Sequence, residues 1–260
     1  MMWYGEGLTD TGCVRLSNQD AYLVNNERGL WIVADGMGSH QHSAIASQMV
    51  VDAINIFLGR FAASGTLAQP HHWETILHKA VNHAHDQIRA KVKAQPELAG
   101  MGTTVVLAFM PGPGSDHLYI AHAGDSRAYL FRDTTLTLLT RDHTLLEERI
   151  RDGWLPKDTP ASHQLGHVLT KAIGLETGVD ADCSHLALQP ADTILLCSDG
   201  LIKMLNDEGI RGVLLDSLQD SSQDPCRRLI LEANRLGGHD NVTVVIVQKK
   251  NNAARDGHSV

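Results

Sequence analysis

The sequence predicts an α+β fold built in layers, and three observations lead to this prediction. Helix-like and strand-like segments follow the order strands, helix pair, strands, helix, strands, which is not a regular β-α-β alternation. No internal repeat of the solenoid type is visible. The chain has 260 residues, of which 43% are hydrophobic and 20% charged, so it can bury one sizeable core.

The helix pair follows the N-terminal strands. The first helix is predicted by apolar residues at every fourth position: Ile45, Met49, Ala53 and Phe57. In the second, residues 73–88 follow the three-four spacing of one buried face, and Pro96 ends the helix. We expect the two helices to form a hairpin pair whose polar side carries most of the nearby histidines: His71, His72, His78, His83 and His85.

The middle of the chain is predicted to be a series of strands. Residues 103–110, 117–124, 126–133 and 135–139 are rich in β-branched and apolar side chains. The sequence PGPG after the first of these segments indicates a turn. Successive strands with short connections predict an antiparallel meander.

A short helix and a loop follow the strand series. Thr144 and Glu147 have the spacing of a capping box, which favours a helix at 142–150. A glycine and two prolines make the stretch 152–164 irregular, so we expect a loop or flap there.

The C-terminal third contains two strands with helices between them. The apolar segment ADTILLCSDG is typical of a strand, and the clearer of two following helices covers 225–236 with Asp224 as its N-cap. Residues 241–248 form a final strand. We therefore predict a single domain over residues 1–248 and a polar, disordered tail over 249–260.

Composition argues against several classes of function. The net charge of −8 and the lack of a basic stripe argue against nucleic-acid binding. The chain has no run of about 18 apolar residues, and its first residues lack a signal-peptide pattern, so no membrane span is expected. The four cysteines form no C-x-x-C pair, which favours reduced thiols in a cytoplasmic protein.

Aspartates recur where predicted strands begin or end. Five residues share this position: Asp20, Asp35, Asp125, Asp199 and Asp240. A single Asp-Gly pair after a strand usually marks a turn. Several such residues predict more, because the strand ends of packed sheets can meet at one edge. Carboxylates gathered there need cations to neutralise them.

This donor set indicates a particular kind of metal. Carboxylates without histidine or cysteine companions suit Mg²⁺ or Mn²⁺ better than Zn²⁺ or copper. An adjacent glycine such as Gly36 lets a backbone carbonyl approach the same ion. Two ions about 4 Å apart can bridge a water and direct it at phosphorus. Arg15, five residues before Asp20, can hold phosphate oxygens, although a lone arginine is also typical of a solvated surface charge.

Other routes to phosphate chemistry lack their motifs. The chain contains no G-x-x-x-x-G-K-[ST] loop, and no cysteine is followed six residues later by arginine. The segment DADCS at 180–184 resembles an aspartyl-nucleophile motif, but no apolar strand precedes it and we interpret it as a loop. The segment GDS at 124–126 lacks the G-x-S-x-G elbow of a serine nucleophile.

Eight segments between residues 14 and 245 occur in an order typical of one family. They are VRLSNQDA, VADGMG, GMGTTVV, IAHAGDSRAYL, LTRDHT, VLTKAIG, LLCSDGL and GGHDNVTVV. With these segments the chain resembles the metal-dependent serine/threonine protein phosphatases of the type-2C family, in their compact bacterial form. The resemblance implies a four-layer α-β-β-α sandwich of two antiparallel sheets flanked by helix pairs.

The resemblance also implies a metal centre at one edge of the sandwich. Asp35 would bridge two ions, Mn²⁺ or Mg²⁺, and the Gly36 carbonyl would bind one of them. Asp199 and Asp240 would complete the ligands of the other ion. Asp125, together with Asp199, would match the site of a weaker third ion.

Further segments are implied to support the centre. Arg15 would hold the substrate phosphate, and Asp20 would bind a metal-bound water. The Gly-Thr-Thr segment at 102–104 would pack near the site. The irregular stretch 151–163 would form a flap beside it.

Two positions depart from the family pattern. Gln19 stands where many members have glutamate, which leaves one ion with fewer charged ligands. Met37 stands where members from higher organisms place a histidine that can act as a general acid. The proton donor is therefore unassigned, with metal-bound water as a candidate. His40 and His42 lie nearby in sequence, and we expect neither to be catalytic.

The resulting hypothesis is an enzyme that hydrolyses phosphoserine and phosphothreonine in proteins through a metal-bridging hydroxide. Asp35, Asp199 and Asp240 would be its catalytic residues. Two alternatives stay open: a silent relative that binds phosphoproteins or scaffolds a kinase, and a hydrolase of small phosphomonoesters. A silent member is expected to lack one of these three carboxylates, and all three are present. We expect a monomeric signalling enzyme in the cytoplasm that opposes a bacterial serine/threonine kinase.

Overall fold

Eleven strands form two antiparallel sheets in the computed structural model, which describes residues 2–38, 42–63, 72–112, 114–160, 163–175, 178–219 and 224–250. The strands are β1 (Met2–Asp10), β2 (Asp20–Asn25), β3 (Leu30–Met37), β4 (Gly102–Thr103), β5 (Val105–Phe109), β6 (His117–Ala123), β7 (Arg127–Arg132), β8 (Thr135–Leu138), β9 (Asp182–Ala187), β10 (Thr193–Cys197) and β11 (Val242–Lys250). Sheet A has the order β1-β11-β10-β7-β8. Sheet B has the order β2-β3-β5-β6-β9, and the short β4 pairs with β3.

The helices of the described chain are α1 (Ser43–Ala63), α2 (Trp73–Ala94), α3 (Leu145–Arg151), α4 (Asp199–Ile202), α5 (Asp207–Gln219) and α6 (Pro225–Arg235). The two predicted N-caps are confirmed. The Thr144 side chain accepts the Glu147 N–H at 3.3 Å, and the Asp224 side chain accepts the Cys226 N–H at 2.9 Å. These caps fix where α3 and α6 begin.

The helices cover the outer faces of the two sheets. α1 and α2 pack together on sheet B around buried residues such as Ile54 and Leu77. α5 and α6 cover sheet A around residues such as Leu214 and Leu229. A separate apolar layer, which includes Trp31, fills the space between the sheets. The predicted four-layer α-β-β-α sandwich is therefore confirmed.

Helix α1 is more apolar than its predicted stripe suggests. By length and composition alone, Ser43–Phe61 could cross a membrane, which the sequence analysis did not anticipate. In the structure this helix lies on sheet B and against α2, with Val50, Ile54 and Leu58 buried. Ile45, which belongs to the predicted stripe, is exposed instead. Because α1 also carries apolar residues such as Ile45 and Ile56 on its exposed side, a spacing of four did not identify the buried face.

The predicted meander is wrong at one connection. β6 pairs with β5 and β9 in sheet B, whereas β7 pairs with β8 and β10 in sheet A. The chain passes from one sheet to the other at Gly124, whose φ of +113° permits the sharp turn. Both strands are almost entirely buried, so their sequences carry no sign of which sheet they join.

Two edge strands escaped prediction. β1 lies at one edge of sheet A, and β9 at one edge of sheet B. The segment 180–184, interpreted as a loop, contributes its last residues to β9. β9 is mostly exposed and lacks a strong apolar pattern, which explains the error.

Two smaller expectations also need correction. His85, expected on the surface, is buried, and its Nδ1 accepts the Gly174 N–H at 3.2 Å. β11 continues to Lys250, two residues into the segment predicted as a tail. The rest of that segment, 251–260, lies outside the described residues, as do His40 and His71.

Candidate active site

One edge of the sandwich carries a cavity of about 250 Å³ between the ends of the two sheets. It is lined by most of the predicted site residues: Arg15, Asp35, Gly36, Asp125, Asp199 and Asp240. Asp20 does not line the cavity but is the direct partner of Asp35 in the β2–β3 pair. The structure therefore brings residues from six separate parts of the chain to one place.

Asp35 has its backbone fixed on both sides. Its carbonyl oxygen accepts the Thr104 N–H at 2.9 Å and the Thr103 hydroxyl at 2.8 Å. Its own N–H donates to Thr104 Oγ1 at 3.1 Å. The segment 102–104 thus lies against the site and holds the strand that carries Asp35. Burial, with the nearby charges of Asp20 and Asp199, raises the pKa of Asp35 well above its usual range.

Asp20 joins the two sheets from behind the cavity. Its Oδ2 accepts hydrogen bonds from Ser198 Oγ at 2.8 Å and Thr243 Oγ1 at 2.6 Å, both on the sheet A side. Its Oδ1 is buried and has no hydrogen-bond partner among the described residues. Burial raises the pKa of Asp20 to about 6 although the two hydroxyls lower it.

Two glycines beside the carboxylates are required by close packing. A Cβ at position 36 would overlap the carbonyl oxygen of Ser43, and one at position 200 would overlap the carbonyl oxygen of Asn241. Neither Gly36 nor Gly200 has a positive φ. The Asp-Gly pairs therefore reflect the tight approach of neighbouring chain segments rather than turn geometry.

Buried Asn241 fixes the loop that carries Arg15. Its Nδ2 donates to the carbonyl oxygens of Thr11 at 2.9 Å and Ser17 at 3.0 Å. Its Oδ1 accepts the Gln19 N–H at 2.9 Å. One side chain at the start of β11 thus satisfies three backbone groups of the segment between β1 and β2.

Asp125 lies in the corner where the chain passes between the sheets. Burial is the main cause that raises its pKa to about 8, and Asp199 and Asp142 add to it. The next residue, Ser126, shares a 2.7 Å hydroxyl hydrogen bond with Thr104. This contact couples the corner to the segment that holds Asp35.

Two cations face the carboxylates. Arg15 contacts Asp240 with Nε and Nη2, each at 2.9 Å, and its side chain is 38% exposed. Lys203 Nζ lies 2.6 Å from Asp199 Oδ2 and 2.9 Å from Asp240 Oδ2. Sequence reasoning missed Lys203. The available signal was its position four residues after Asp199, which places both side chains on one face of a helical turn.

A histidine cluster supports the corner from outside the cavity. His122, His143 and Asp182 place possible ligand atoms within 4.8 Å of one another. However, His143 Nδ1 accepts the Gly124 N–H at 3.1 Å, so the proton of its neutral ring is on Nε2, which faces Asp182 at 3.3 Å. Lys171 already binds Asp182 at 2.7 Å. These contacts describe a hydrogen-bonded support for Gly124, not a set of free metal ligands.

The aspartate cavity fits divalent ions better. Its donors are oxygen atoms, and buried Oδ1 atoms of Asp20 and Asp199 have no hydrogen-bond partner in the described chain. Four aspartates line the cavity, whereas two cations lie beside it. Within the described residues, no three of these aspartates bring oxygens within 4.8 Å of one another. Binding of one ion by three of them therefore requires the side chains to move closer.

The remaining predicted positions lie around the cavity. Met37, which follows Asp35-Gly36, lines it. Gln19 is buried, and its carbonyl oxygen accepts the Gly36 N–H at 3.2 Å. Beyond the predicted flap, a 3₁₀ turn at Gln164–His167 brings His167 to the cavity wall.

The two-sheet sandwich, with carboxylates and a guanidinium gathered at one edge, defines a class of metal-dependent phosphoryl hydrolase. The family model described as Protein phosphatase 2C matches residues 14–229. The chain therefore belongs to the protein phosphatase 2C family.

Individual relatives agree with this assignment. The chain is 34% identical over 249 residues to a protein named Serine/threonine phosphatase stp from Listeria welshimeri, covering 95% of this chain and 96% of that one. It superposes on the crystal structure of the Mycobacterium tuberculosis serine/threonine phosphatase PstP/Ppp with a TM-score of 0.83 and 32% identity, covering 96% of this chain and 100% of that one. A PstP catalytic domain in complex with two manganese ions gives a TM-score of 0.77 and 31% identity, with 95% and 97% covered. The predicted enzyme class, a protein-serine/threonine phosphatase, is confirmed.

Proposed function

We propose that this enzyme hydrolyses phosphoserine and phosphothreonine in proteins with the help of two divalent ions, Mn²⁺ or Mg²⁺. The observation that carries the proposal is one cavity that gathers carboxylates from both sheets beside an exposed arginine. The manganese-bound PstP neighbour supports the choice of ion and the number two.

The residues proposed to hold the ions come from both sheets: Asp35, the Gly36 carbonyl, Asp199 and Asp240. Asp20 would act through a water, and Asp125 with Asp199 would offer a weaker third position. Bound ions supply Lewis acidity, which lowers the pKa of water and offsets phosphoryl charge. The chain itself contributes rigidity, because backbone hydrogen bonds and close-packed glycines fix the strand ends that carry these groups.

Arg15 is proposed to bind and orient the substrate phosphate. A guanidinium can donate two parallel hydrogen bonds to phosphate oxygens, as it does here to Asp240. Its partial exposure leaves room for a ligand to reach it. Exchange of a carboxylate partner for a phosphate keeps the guanidinium paired with an anion.

The proton for the leaving serine or threonine oxygen needs a donor other than Met37. Among the described residues that line the cavity, His167 is the one imidazole, and we assign the role to it. His167→Asn is expected to lower kcat on a phosphothreonine peptide by about 100-fold. An aryl phosphate, whose leaving oxygen needs no proton, should show little change. Equal losses on both substrates would contradict this assignment.

A protein substrate is favoured over a small phosphomonoester by the surroundings of the site. A second cavity of about 710 Å³ adjoins the first and shares with it Asp125, Asp199, Lys203 and His167. This space can accept residues that flank a phosphorylated side chain, whereas a sugar phosphate would leave it unused.

The decisive experiment is a turnover assay on a phosphothreonine peptide and on sugar phosphates, in EDTA and with Mn²⁺ or Mg²⁺ added back. We expect peptide turnover that EDTA removes and Mn²⁺ restores. Faster turnover of sugar phosphates would favour the small-molecule alternative. Peptide binding without turnover at saturating Mn²⁺ would favour the silent module. A kinase partner, signalling, a monomeric state and a cytoplasmic location stay predictions.

A further inference from the structure

Lys203 occupies an unusual position for a lysine. It follows α4, the single helical turn that starts at Asp199, and its side chain turns back into the cavity. Its ammonium bridges Asp199 at 2.6 Å and Asp240 at 2.9 Å, with 31% of the side chain exposed. These are two of the carboxylates that the proposed function assigns to divalent ions.

Each oxygen of the Asp240 carboxylate already accepts two hydrogen bonds. Its Oδ1 accepts hydrogen bonds from the Asn241 N–H and from Arg15 Nε, each at 2.9 Å. Its Oδ2 accepts from Arg15 Nη2 and from Lys203 Nζ, again at 2.9 Å. Because a carboxylate offers about four lone-pair sites, no further cation can bind it without displacing a donor.

We propose that Lys203 is a built-in counter-ion, which holds Asp199 and Asp240 together in the metal-free protein and competes with divalent ions for them. This proposal rests on the metal centre of the proposed function. The position of Lys203 supports it, because its ammonium occupies one oxygen of each carboxylate and an ion that takes both of these oxygens must displace it.

Two opposite effects should follow from removing the ammonium. Without Lys203, the carboxylates of the metal-free site repel one another, so its melting temperature should fall. Without competition, Mn²⁺ should bind about tenfold more tightly, the change expected for loss of one partly buried ion pair. A residue that only packed against the site would lower stability without raising metal affinity.

The test is a calorimetric titration of the full chain with Mn²⁺ in the absence of substrate, together with thermal unfolding in EDTA. Lys203→Met is compared with Lys171→Met. Lys171 makes a 2.7 Å pair with Asp182 outside the cavity and is 29% exposed, so it matches Lys203 in charge, contact and burial. Lys203→Arg keeps the charge and should bind Mn²⁺ like the wild type.

We expect the dissociation constant for Mn²⁺ to fall about tenfold in Lys203→Met and to change little in Lys171→Met. Equal affinities in the two variants would overturn the proposal for Lys203 and leave the metal centre intact. If the wild type bound no Mn²⁺, the centre itself would fail. The melting temperatures of the wild type and Lys203→Met in EDTA would then decide whether Lys203 holds the carboxylates together. Equal values would overturn that part of the proposal. If Lys203→Met did not fold, Lys203→Gln would take its place in the titration. A Lys203→Gln protein that folds like the wild type but binds Mn²⁺ more weakly would overturn the proposal.

Discussion

The aspartates of the cavity experience different electrostatic environments although they share one edge. Burial raises the pKa of Asp240, but hydrogen bonds and charge from Lys203 and the charge of Arg15 hold it below its usual range. For Asp125, burial outweighs the lowering effect of the Lys203 charge and raises the pKa to about 8. At neutral pH the metal-free site therefore presents Asp240 as an ion and Asp125 largely as an acid.

At the residue scale, Asp35→Asn is expected to lower kcat/KM by more than about 100-fold. Removal of a residue that only contacts a metal's ligands already lowers metal affinity or activity by about 10- to 100-fold. Asp35 is proposed as a direct ligand, and an amide cannot supply its charge. The melting temperature in EDTA should stay unchanged or rise, because a buried carboxylate is removed. Steady-state assays with Mn²⁺ and thermal unfolding measure both effects.

Asp52→Asn, a change at an acid on α1 remote from the cavity, is the matched control and should leave kcat/KM unchanged. Full activity of Asp35→Asn in Mn²⁺ would contradict the assignment of Asp35 to the centre.

At this scale the sequence pointed to acidic residues that the structure brings to one edge, but not to the residues that contact them. Asp35 and Asp199 could be found because an apolar strand that ends in Asp-Gly is a local pattern. Lys203 has a local signal only for its pair with Asp199, four residues away, and its contact with Asp240 spans 37 positions. His143 has no such signal, because its contact with Gly124 spans 19 positions.

At the scale of elements, one buried amide, that of Asn241, makes three of the hydrogen bonds that hold the loop between β1 and β2. Asn241→Ala leaves three backbone groups of that loop without their partner, so the free energy of unfolding should fall by at least about 2 kcal/mol. The kcat/KM should fall too, because Arg15 loses its fixed position. Denaturant unfolding and peptide turnover measure the two changes.

Asn82→Ala provides the comparison. Asn82 makes side-chain hydrogen bonds to His78 within α2, away from the cavity. A similar loss of turnover in both alanine variants would show that Asn241 acts through general stability and not through the loop.

The corner between β6 and β7 should make the stability of the protein depend on pH in the acidic range. Burial, with the neighbouring charge of His122, lowers the pKa of His143 to about 4. A group with a lowered folded pKa contributes stability that is present above its unfolded pKa, about 6.5, and is lost as pH falls through about 4. The contribution of His143 to the melting temperature should therefore be lost between pH 6.5 and 4.

His143→Gln isolates this contribution, because a glutamine oxygen can still accept the Gly124 N–H but does not titrate in this range. As pH falls over the same window, its melting temperature should rise relative to that of the wild type. If the melting temperatures of the two proteins change equally with pH, His143 does not contribute to the pH dependence.

The order of elements was predictable, but their pairing was only partly so. α2 shows a clear three-four spacing, and its buried face was predicted correctly. The passage from β6 to β7 was missed because two buried strands with a short connection look the same whether they pair or separate. β9 was missed because an exposed edge strand has little apolar pattern to recognise.

At the scale of the whole molecule, metal-free protein should lose stability as pH rises. Asp20, with a pKa raised to about 6, and Asp125, with a pKa raised to about 8, bind protons more tightly when folded. Their stabilising contribution is present below the unfolded value near 3.8 and is lost as pH rises through those folded values. Between pH 5 and 8 the melting temperature in EDTA should fall by several degrees, since each kcal/mol changes it by about 2–4 °C.

Two comparisons test this expectation by thermal unfolding. Asp125→Asn should reduce the fall, because the amide does not titrate. Mn²⁺ should suppress it in the wild type, because an ion that binds only the folded state offsets the repulsion. A melting temperature in EDTA that is the same at pH 5 and pH 8 would contradict the expectation.

The two ends of the sandwich differ in what holds the sheets together. At the end remote from the cavity, Trp3 and Trp31 are almost fully enclosed between the sheets. At the cavity end, sheet B reaches sheet A through Asp20 and its two hydroxyl partners, beside carboxylates that repel one another. The divalent ions proposed for this site would therefore cross-link the two sheets at this end. Without these ions, local opening should be more frequent at the cavity end. Amide hydrogens there should exchange before those around the tryptophans.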